Sequence, residues 1–334
     1  GAFDPAVTLA MVLQQARAVQ QDLYVLFIDL SAFFPSIHRG VLKACEIWHG
    51  VPDDVIDLAL LIYGAADDPG NAVDCQFDST AGLSGTFKNP RGALMGDVLS
   101  PDKAKILLNS IVAAISLHVR GVRLFGWGDA QRAETWKHIS QLAYADDWCG
   151  VFRTAAEARA AWEIWKAWEP ITGCKLGVKG VSKTVLTGVR WVDGKALAPE
   201  DLNLTTLDGL VVPFIPPWEA YKHLGVWRRA DGVDDIAWKQ FLRKCNVALD
   251  KLRRAPPKKV TPDDFALVSD GLLGGLGGYY LRSLFITRAQ AEVVERRWRR
   301  IYCTKFQLPA STPSALLYAG GSSGRGRTHL WSVG

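Results

Sequence analysis

The sequence has no run of uncharged apolar residues that approaches the ~20 needed to span a bilayer as a helix, so a membrane-crossing helix is not expected. It also lacks a CxxC pair or any zinc-like spacing. Its six cysteines (Cys45, Cys75, Cys149, Cys174, Cys245, Cys303) are scattered, which argues against a disulfide framework or structural zinc. They read as reduced thiols, mostly buried, in an intracellular protein, with nucleus and cytoplasm undistinguished. The first residues, Gly1-Ala2-Phe3-Asp4-Pro5, carry neither an initiator Met nor a basic-then-apolar leader, so a fragment that begins inside a longer protein is expected. Internal repeats are absent too.

What is present is ample apolar material. With 334 residues and 49% hydrophobic content, the chain can bury a large core and form two or more packed subdomains. The net charge of +5 is unevenly spread: residues 236–305 carry 15 Lys and Arg against 6 Asp and Glu, whereas residues 1–235 carry 22 against 28. An acidic first part followed by a basic segment suits a protein that gathers carboxylates in one place and tracks phosphates in another. A basic helix can also be no more than a solvated face.

The periodicity gives a coarse map. Asp4-Pro5 opens a helix running toward Gln21, and Leu23 to Ile28 reads as a strand buried on both faces. Phe33-Phe34-Pro35 breaks that strand. Helices follow over Ile37 to Trp48 and after Pro52. Residues 73–88 read as a hairpin, and Ser100-Pro101 starts a helix through Ile115. Thr154 to Glu157 forms a capping box for a helix that Pro170 stops, its Trp162, Trp165 and Trp168 packing in the core. A strand at Val185 to Thr187, a turn-rich stretch with an Asp193-Gly194 hairpin signal, and a short strand over Tyr221 to Trp227 come next. From Asp235 the chain is helical, with Trp238, Leu242, Cys245, Leu249 and Leu252 as one stripe.

Two places carry chemistry. Leu142 to Phe152 sets adjacent carboxylates, Asp146 and Asp147, between two short apolar and aromatic runs, the pattern of a β-hairpin with an acidic turn. The plain reading is a solvated turn whose side chains cap backbone amides. The chemical reading is a pair of like charges that a hard divalent cation would hold together. Asp29 ends the apolar run that starts at Leu23, where a carboxylate is unfavourable unless paired or metal-bound. With Asp146 and Asp147 it would complete a three-carboxylate set able to hold two metals for displacement at phosphorus.

Several stretches in order have the look of known motifs. These are Asp29-Leu30-Ser31-Ala32-Phe33-Phe34-Pro35-Ser36-Ile37, Arg91-Gly92-Ala93-Leu94-Met95-Gly96-Asp97-Val98-Leu99-Ser100-Pro101 and Tyr144-Ala145-Asp146-Asp147. Ser182-Lys183-Thr184 and Tyr221-Lys222-His223-Leu224-Gly225-Val226 follow. They resemble motifs A to E of the reverse transcriptases, especially those of non-LTR retrotransposons, and Leu308 to Tyr318 is similar to the region after the thumb in these elements.

The resemblance implies an α+β fold: a right-hand polymerase palm, an antiparallel sheet with helices on one face, plus partial fingers. Palm and fingers would span residues 1–228, a helical thumb and connection region 229–320, and a disordered tail 321–334. It implies an RNA-directed DNA polymerase that takes an RNA template, a DNA primer and deoxynucleoside triphosphates, with two Mg²⁺ ions, or Mn²⁺ in their place. In the family Asp29 and Asp146 ligate both ions, Leu30 adds a backbone carbonyl, Asp147 supports the site, and Lys183 meets the leaving pyrophosphate. Phe34 would exclude a ribose 2′-hydroxyl, Met95 and Gly96 would touch the nucleotide, and His223, Leu224 and Gly225 would grip the primer. Arg243, Lys244, Lys251, Arg253 and Arg254 would follow the nucleic-acid backbone.

Met95 departs from the family, which commonly has Gln there. The basic fingers motifs would lie before Gly1, together with any endonuclease domain. Three rivals stay open: an RNA-dependent RNA polymerase, a group II intron or retron enzyme, and a non-catalytic nucleic-acid-binding remnant of a mobile element. Phe34 and the Tyr-Ala before Asp146 oppose the first, and the three retained carboxylates oppose the last.

Overall fold

The computed structural model describes residues 3–63, 73–76, 78–80, 82–89, 91–93, 99–124, 137–178, 184–256 and 260–313. By their internal contacts the chain forms two compact units: residues 15–219, and residues 1–14 together with 220–334. The expected tail over 321–334 lies outside the described residues.

In chain order, α1 (Phe3–Ala18) leads into β1 (Leu23–Ile28) and β2 (Leu30–Ser31). Then come α2 (Phe33–Ser36), α3 (Arg39–Trp48) and α4 (Asp53–Tyr63). Short ribbons follow, β3 (Val73–Cys75) with β6 (Phe87–Asn89) around β4 (Asp78–Ser79) with β5 (Gly82–Leu83), as the hairpin reading expects. After α5 (Ser100–His118) come β7 (Val122–Leu124), β8 (Lys137–Ile139), β9 (Gln141–Tyr144) and β10 (Asp147–Phe152). The first unit closes with α6 (Ala155–Thr172), β11 (Lys175–Leu176), β12 (Val185–Val192), β13 (Lys195–Leu197) and β14 (Phe214–Ile215).

The central sheet runs β13-β12-β1-β10-β9, with β14 beside β12. All its pairs are antiparallel except β12 with β14, so the sheet is mixed rather than wholly antiparallel. All six residues of β1 are buried, which is why its sequence shows no polar alternation. Tyr24, Leu26 and Ile28 face a core built with α3, α5 and α6. Leu23, Val25 and Phe27, on the other face, are equally buried, so the sheet is covered on both sides and not on one.

The tryptophans of α6 are packing residues, as expected. Trp165 meets Trp148 and Trp168 edge-on at 5.3 Å each, and the indole N–H of Trp168 donates to the Ser110 hydroxyl at 3.0 Å. Pro170 does not stop α6. Lying in the last turn it forfeits only one ladder bond, and the helix ends two residues on at Thr172, followed by Gly173, whose φ of +78° makes it a left-handed cap.

The second unit holds the hairpin β15 (Ala220–His223) and β16 (Val226–Arg229), two strands where the sequence suggested one. The Leu224-Gly225 turn, with φ of +47° and +78°, folds the stretch back on itself. Helices α7 (Asp235–Arg254), α8 (Pro262–Ser269), a π-helical turn Asp270–Gly274, α9 (Gly275–Ser283) and α10 (Arg288–Lys305) follow. The buried side of α7 is Ala237, Phe241, Cys245, Ala248, Leu249 and Leu252, rotated from the expected stripe because Trp238 and Leu242 are only half-buried. Trp298 of α10, fully buried, donates its indole N–H to Ser269 at 2.9 Å and ties α10 to α8.

Candidate active site and nucleic-acid face

Antiparallel pairing fixes where the carboxylates go. The last partners of β1 and β10 are Ile28 and Trp148, so Asp29, just past the end of β1, and Asp147, the first residue of β10, come to the same end of the sheet. Asp146 is the second residue of the two-residue loop between Tyr144 and Asp147. Asp147 is exposed as a residue, yet its carboxyl is pushed above its ordinary range, first by the protein atoms that displace water around it and then by the negative charges of Asp146 and Asp29. Asp146 and Asp29 thus both add negative charge felt at Asp147. Among the described residues, no group of three or more His, Cys, Asp or Glu closes into a metal-binding cage.

The backbone around the acids is tightly held. The Asp29 N–H donates to the Thr184 hydroxyl at 3.1 Å, and its carbonyl accepts from the Gly177 N–H at 2.8 Å. Leu30 is buried in β2, paired with Leu176. Ala145, directly before Asp146, and Ala32, three residues after Asp29, both take left-handed φ values of +50° and +48°. Each costs roughly 1 kcal/mol for a residue with a Cβ, and such strain gathers at functional sites.

Phe34 lies in α2, half-buried against the sheet core, with Phe33 edge-on at 5.4 Å. Its carbonyl accepts the Ala93 N–H at 2.9 Å, so the turn after Asp29 and the Arg91-Gly92-Ala93 segment touch directly. Gly92 sits at φ +78°, and a Cβ there would lie 2.4 Å from the Phe34 oxygen. Met95, Gly96 and Lys183 lie outside the described residues.

The other expected residues lie in the second unit. His223 is buried at the end of β15, its imidazole lowered to about 4 by burial and then by the Arg228 charge. The carbonyl of Leu224 accepts from the Tyr279 hydroxyl, and that of Gly225 from the Tyr280 hydroxyl at 3.0 Å. The Lys244 ammonium reaches the same Tyr280 oxygen at 2.6 Å and lies 4.8 Å from its ring centre. The hairpin tip is thus pinned to α9, and α9 to α7.

Arg243, Lys244 and Lys251 line one groove of about 540 Å³, with Gln240, Val247, Gly271, Leu272, Gly275 and Leu276. Arg253 belongs to a different hollow, beside Arg300 and Lys305, and pairs with Asp250 at 3.5 Å. Arg254 is exposed and lines neither. Sequence reasoning missed Tyr279, Tyr280, Gly271 and Gly275. The run Gly271-Leu272-Leu273-Gly274-Gly275-Leu276-Gly277-Gly278 was the signal, since glycine is the poorest non-proline helix former.

No family model and no curated protein matches the chain. Among solved structures it is similar to a telomerase from Candida albicans in complex with a TWJ fragment of telomeric RNA. That likeness has 11% identity and a TM-score of 0.42, over 92% of this chain and 51% of that one. It is also similar to apo telomerase from Candida tropicalis, at 10% identity and a TM-score of 0.43, over 91% and 49%. The chain spans about half the length of these telomerase chains.

Proposed function

We propose that this chain is the core of an RNA-directed DNA polymerase from a retrotransposon-like element, with residues 1–228 as palm and partial fingers and residues 229–320 as helical thumb and connection region. The reading is carried by one observation: antiparallel register sets Asp29 and Asp147 side by side at one end of β1 and β10, with Asp146 in the adjoining turn. Three hard oxygen donors that repel one another fit a hard divalent cation, since the charge that destabilises the empty site would be neutralised in the loaded one. Asp29 and Asp146, with the Leu30 carbonyl, would hold the Mg²⁺ ions, and Asp147 would support them. The metals would supply Lewis-acid activation of the primer 3′-hydroxyl and neutralise triphosphate charge.

The chain's own residues would do the positioning. Clamping of the Asp29 backbone by Thr184 and Gly177 would hold in place the strand end that carries its carboxyl, which phosphoryl transfer rewards because orientation supplies much of the rate. Phe34 would meet the sugar and reject a 2′-hydroxyl by steric clash. Met95 and Gly96 would touch the nucleotide and Lys183 the leaving pyrophosphate. His223, Leu224 and Gly225 would hold the primer end, and the basic groove of α7 the template–primer duplex.

Primer extension on an RNA template with deoxynucleotides and Mg²⁺ tests the reading. Asp146→Asn is expected to cut the rate at least about a hundredfold, the scale of losing one metal ligand. A second reading, a nucleic-acid-binding remnant, is favoured by Met95 where the family has Gln. Salt-sensitive binding of primer–template by a wild-type chain that extends nothing would select it.

A further inference from the structure

Arg39 opens α3, five residues after Phe34, and is almost wholly buried at 4% exposure. Burial penalises the charge, and the first turn of a helix is its positive end. What the guanidinium does there is specific: Nε donates to the Gly92 carbonyl at 3.0 Å and Nη2 to the Arg91 carbonyl at 3.3 Å. A planar fork reaches two successive carbonyls, which a lysine, a single point donor, cannot reproduce.

Those carbonyls belong to a segment stitched onto the Phe34 turn. The Gly92 N–H donates to Ile37 and the Ala93 N–H to Phe34, each at 2.9 Å, and the contact is so close that Gly92 has no room for a Cβ. Behind it, Lys103 of α5 and Glu46 of α3 form a buried ion pair at 2.7 Å. Arg39, Glu46, Gly92, Ala93 and Lys103 line one half-open pocket, so the anchored segment and the buried ion pair adjoin each other.

We propose that Arg39 is a positioning residue for nucleotide selection. It fixes the separation between the Phe34 turn and the segment leading into Met95 and Gly96, and so sets nucleotide affinity and sugar discrimination rather than the chemical rate. The claim on selection rests on the polymerase reading; the anchoring itself does not.

The experiment uses the full chain with Arg39→Lys, which keeps the charge and loses the fork, and Arg39→Gln as a second variant should the first fold poorly. Hydrogen exchange is read first, without nucleotide. The Gly92 and Ala93 amides are expected to exchange about tenfold faster, with the β1 and β10 amides unchanged. Primer extension is read second: the deoxynucleotide KM is expected to rise about tenfold with kcat within about twofold, together with more ribonucleotide incorporation and unchanged primer–template affinity. Unchanged exchange overturns the anchoring, and a fall in kcat at constant KM overturns the role in selection. Faster exchange in the variants alongside a wild type that makes no DNA overturns the polymerase reading and leaves the anchoring supported.

Discussion

At the scale of single residues, two side chains make separable claims. Phe34 is half-buried against a core that would hold its ring in place, so its proposed action is exclusion and not attraction. Phe34→Ala is expected to raise ribonucleotide incorporation by about tenfold or more while deoxynucleotide incorporation stays within about threefold, because the change removes a clash rather than a ligand. Primer extension with each nucleotide type reads it; unchanged sugar selection would leave Phe34 as a core aromatic alone. Asp147 has the opposite character. Its folded-state pKa is raised, so its stabilising contribution is present below the unfolded carboxyl range and is lost as pH rises through the folded value. At neutral pH and without divalent metal, Asp147→Asn is therefore expected to raise Tm slightly, since solvent screens the charge of this exposed residue, and the gain should fade on acidification. Added Mg²⁺ should stabilise the wild type more than this variant. A variant less stable than wild type in chelator at pH 7 would contradict the shared-charge picture.

Among elements, the β15–β16 hairpin and the glycine-rich turn into α9 carry the expectations. His223 is held neutral inside the hairpin, its pKa moved from the usual 6.5 down to about 4. The unfolded chain binds that proton first, so stability should fall as pH drops from about 6.5 toward 4, by up to roughly 3 kcal/mol. His223→Gln should flatten Tm against pH in that window, and a wild-type Tm that does not vary there would refute the assignment. Gly271, Gly274, Gly275 and Gly278 take helical φ values, and a Cβ at any of them would meet nothing within 4 Å among the described residues. Among the described residues neither strain nor packing calls for them, although each costs up to about 1 kcal/mol relative to alanine. Opposite lie Arg243, Lys244 and Lys251, which suits the close approach of a polyanion backbone. Gly275→Ala is expected to raise Tm, and Gly275→Leu to weaken primer–template binding about tenfold without loss of stability. Circular dichroism melts and fluorescence anisotropy separate the two effects, and unimpaired binding by Gly275→Leu would remove the groove from the interface.

For the whole chain, the relevant quantity is how charge is divided: residues 236–305 carry nine more basic than acidic side chains, while residues 1–235 carry six more acidic than basic. Primer–template affinity should fall steeply as salt rises, because each phosphate contact releases a condensed counterion. Replacing Arg243, Lys244 and Lys251 together with alanine is expected to lower the slope of log K against log salt by about 3 and to weaken binding evenly across sequences. An affinity indifferent to salt would exclude a thumb role for these helices. No helix among the described residues is long and apolar enough to cross a membrane.

The sequence alone determined the parts that local chemistry governs. A short unbroken run rich in aromatic and branched apolar residues favours a strand buried on both faces, so β1 and its terminal Asp29 were legible, as were the acidic turn, the capped start of α6 and its packed tryptophans. Pro170 and the stripe of α7 were misread, because a proline in a last turn loses little and because which face of a helix is buried depends on what packs against it. Only the tertiary structure decided that Asp29, 117 residues from Asp146 in sequence, leaves the sheet beside it, since strand register is a long-range choice. The same holds for Arg39 and for the two left-handed alanines. No local signal marks a residue whose partners are carbonyls fifty positions away, or a backbone strain that only the surrounding fold can enforce.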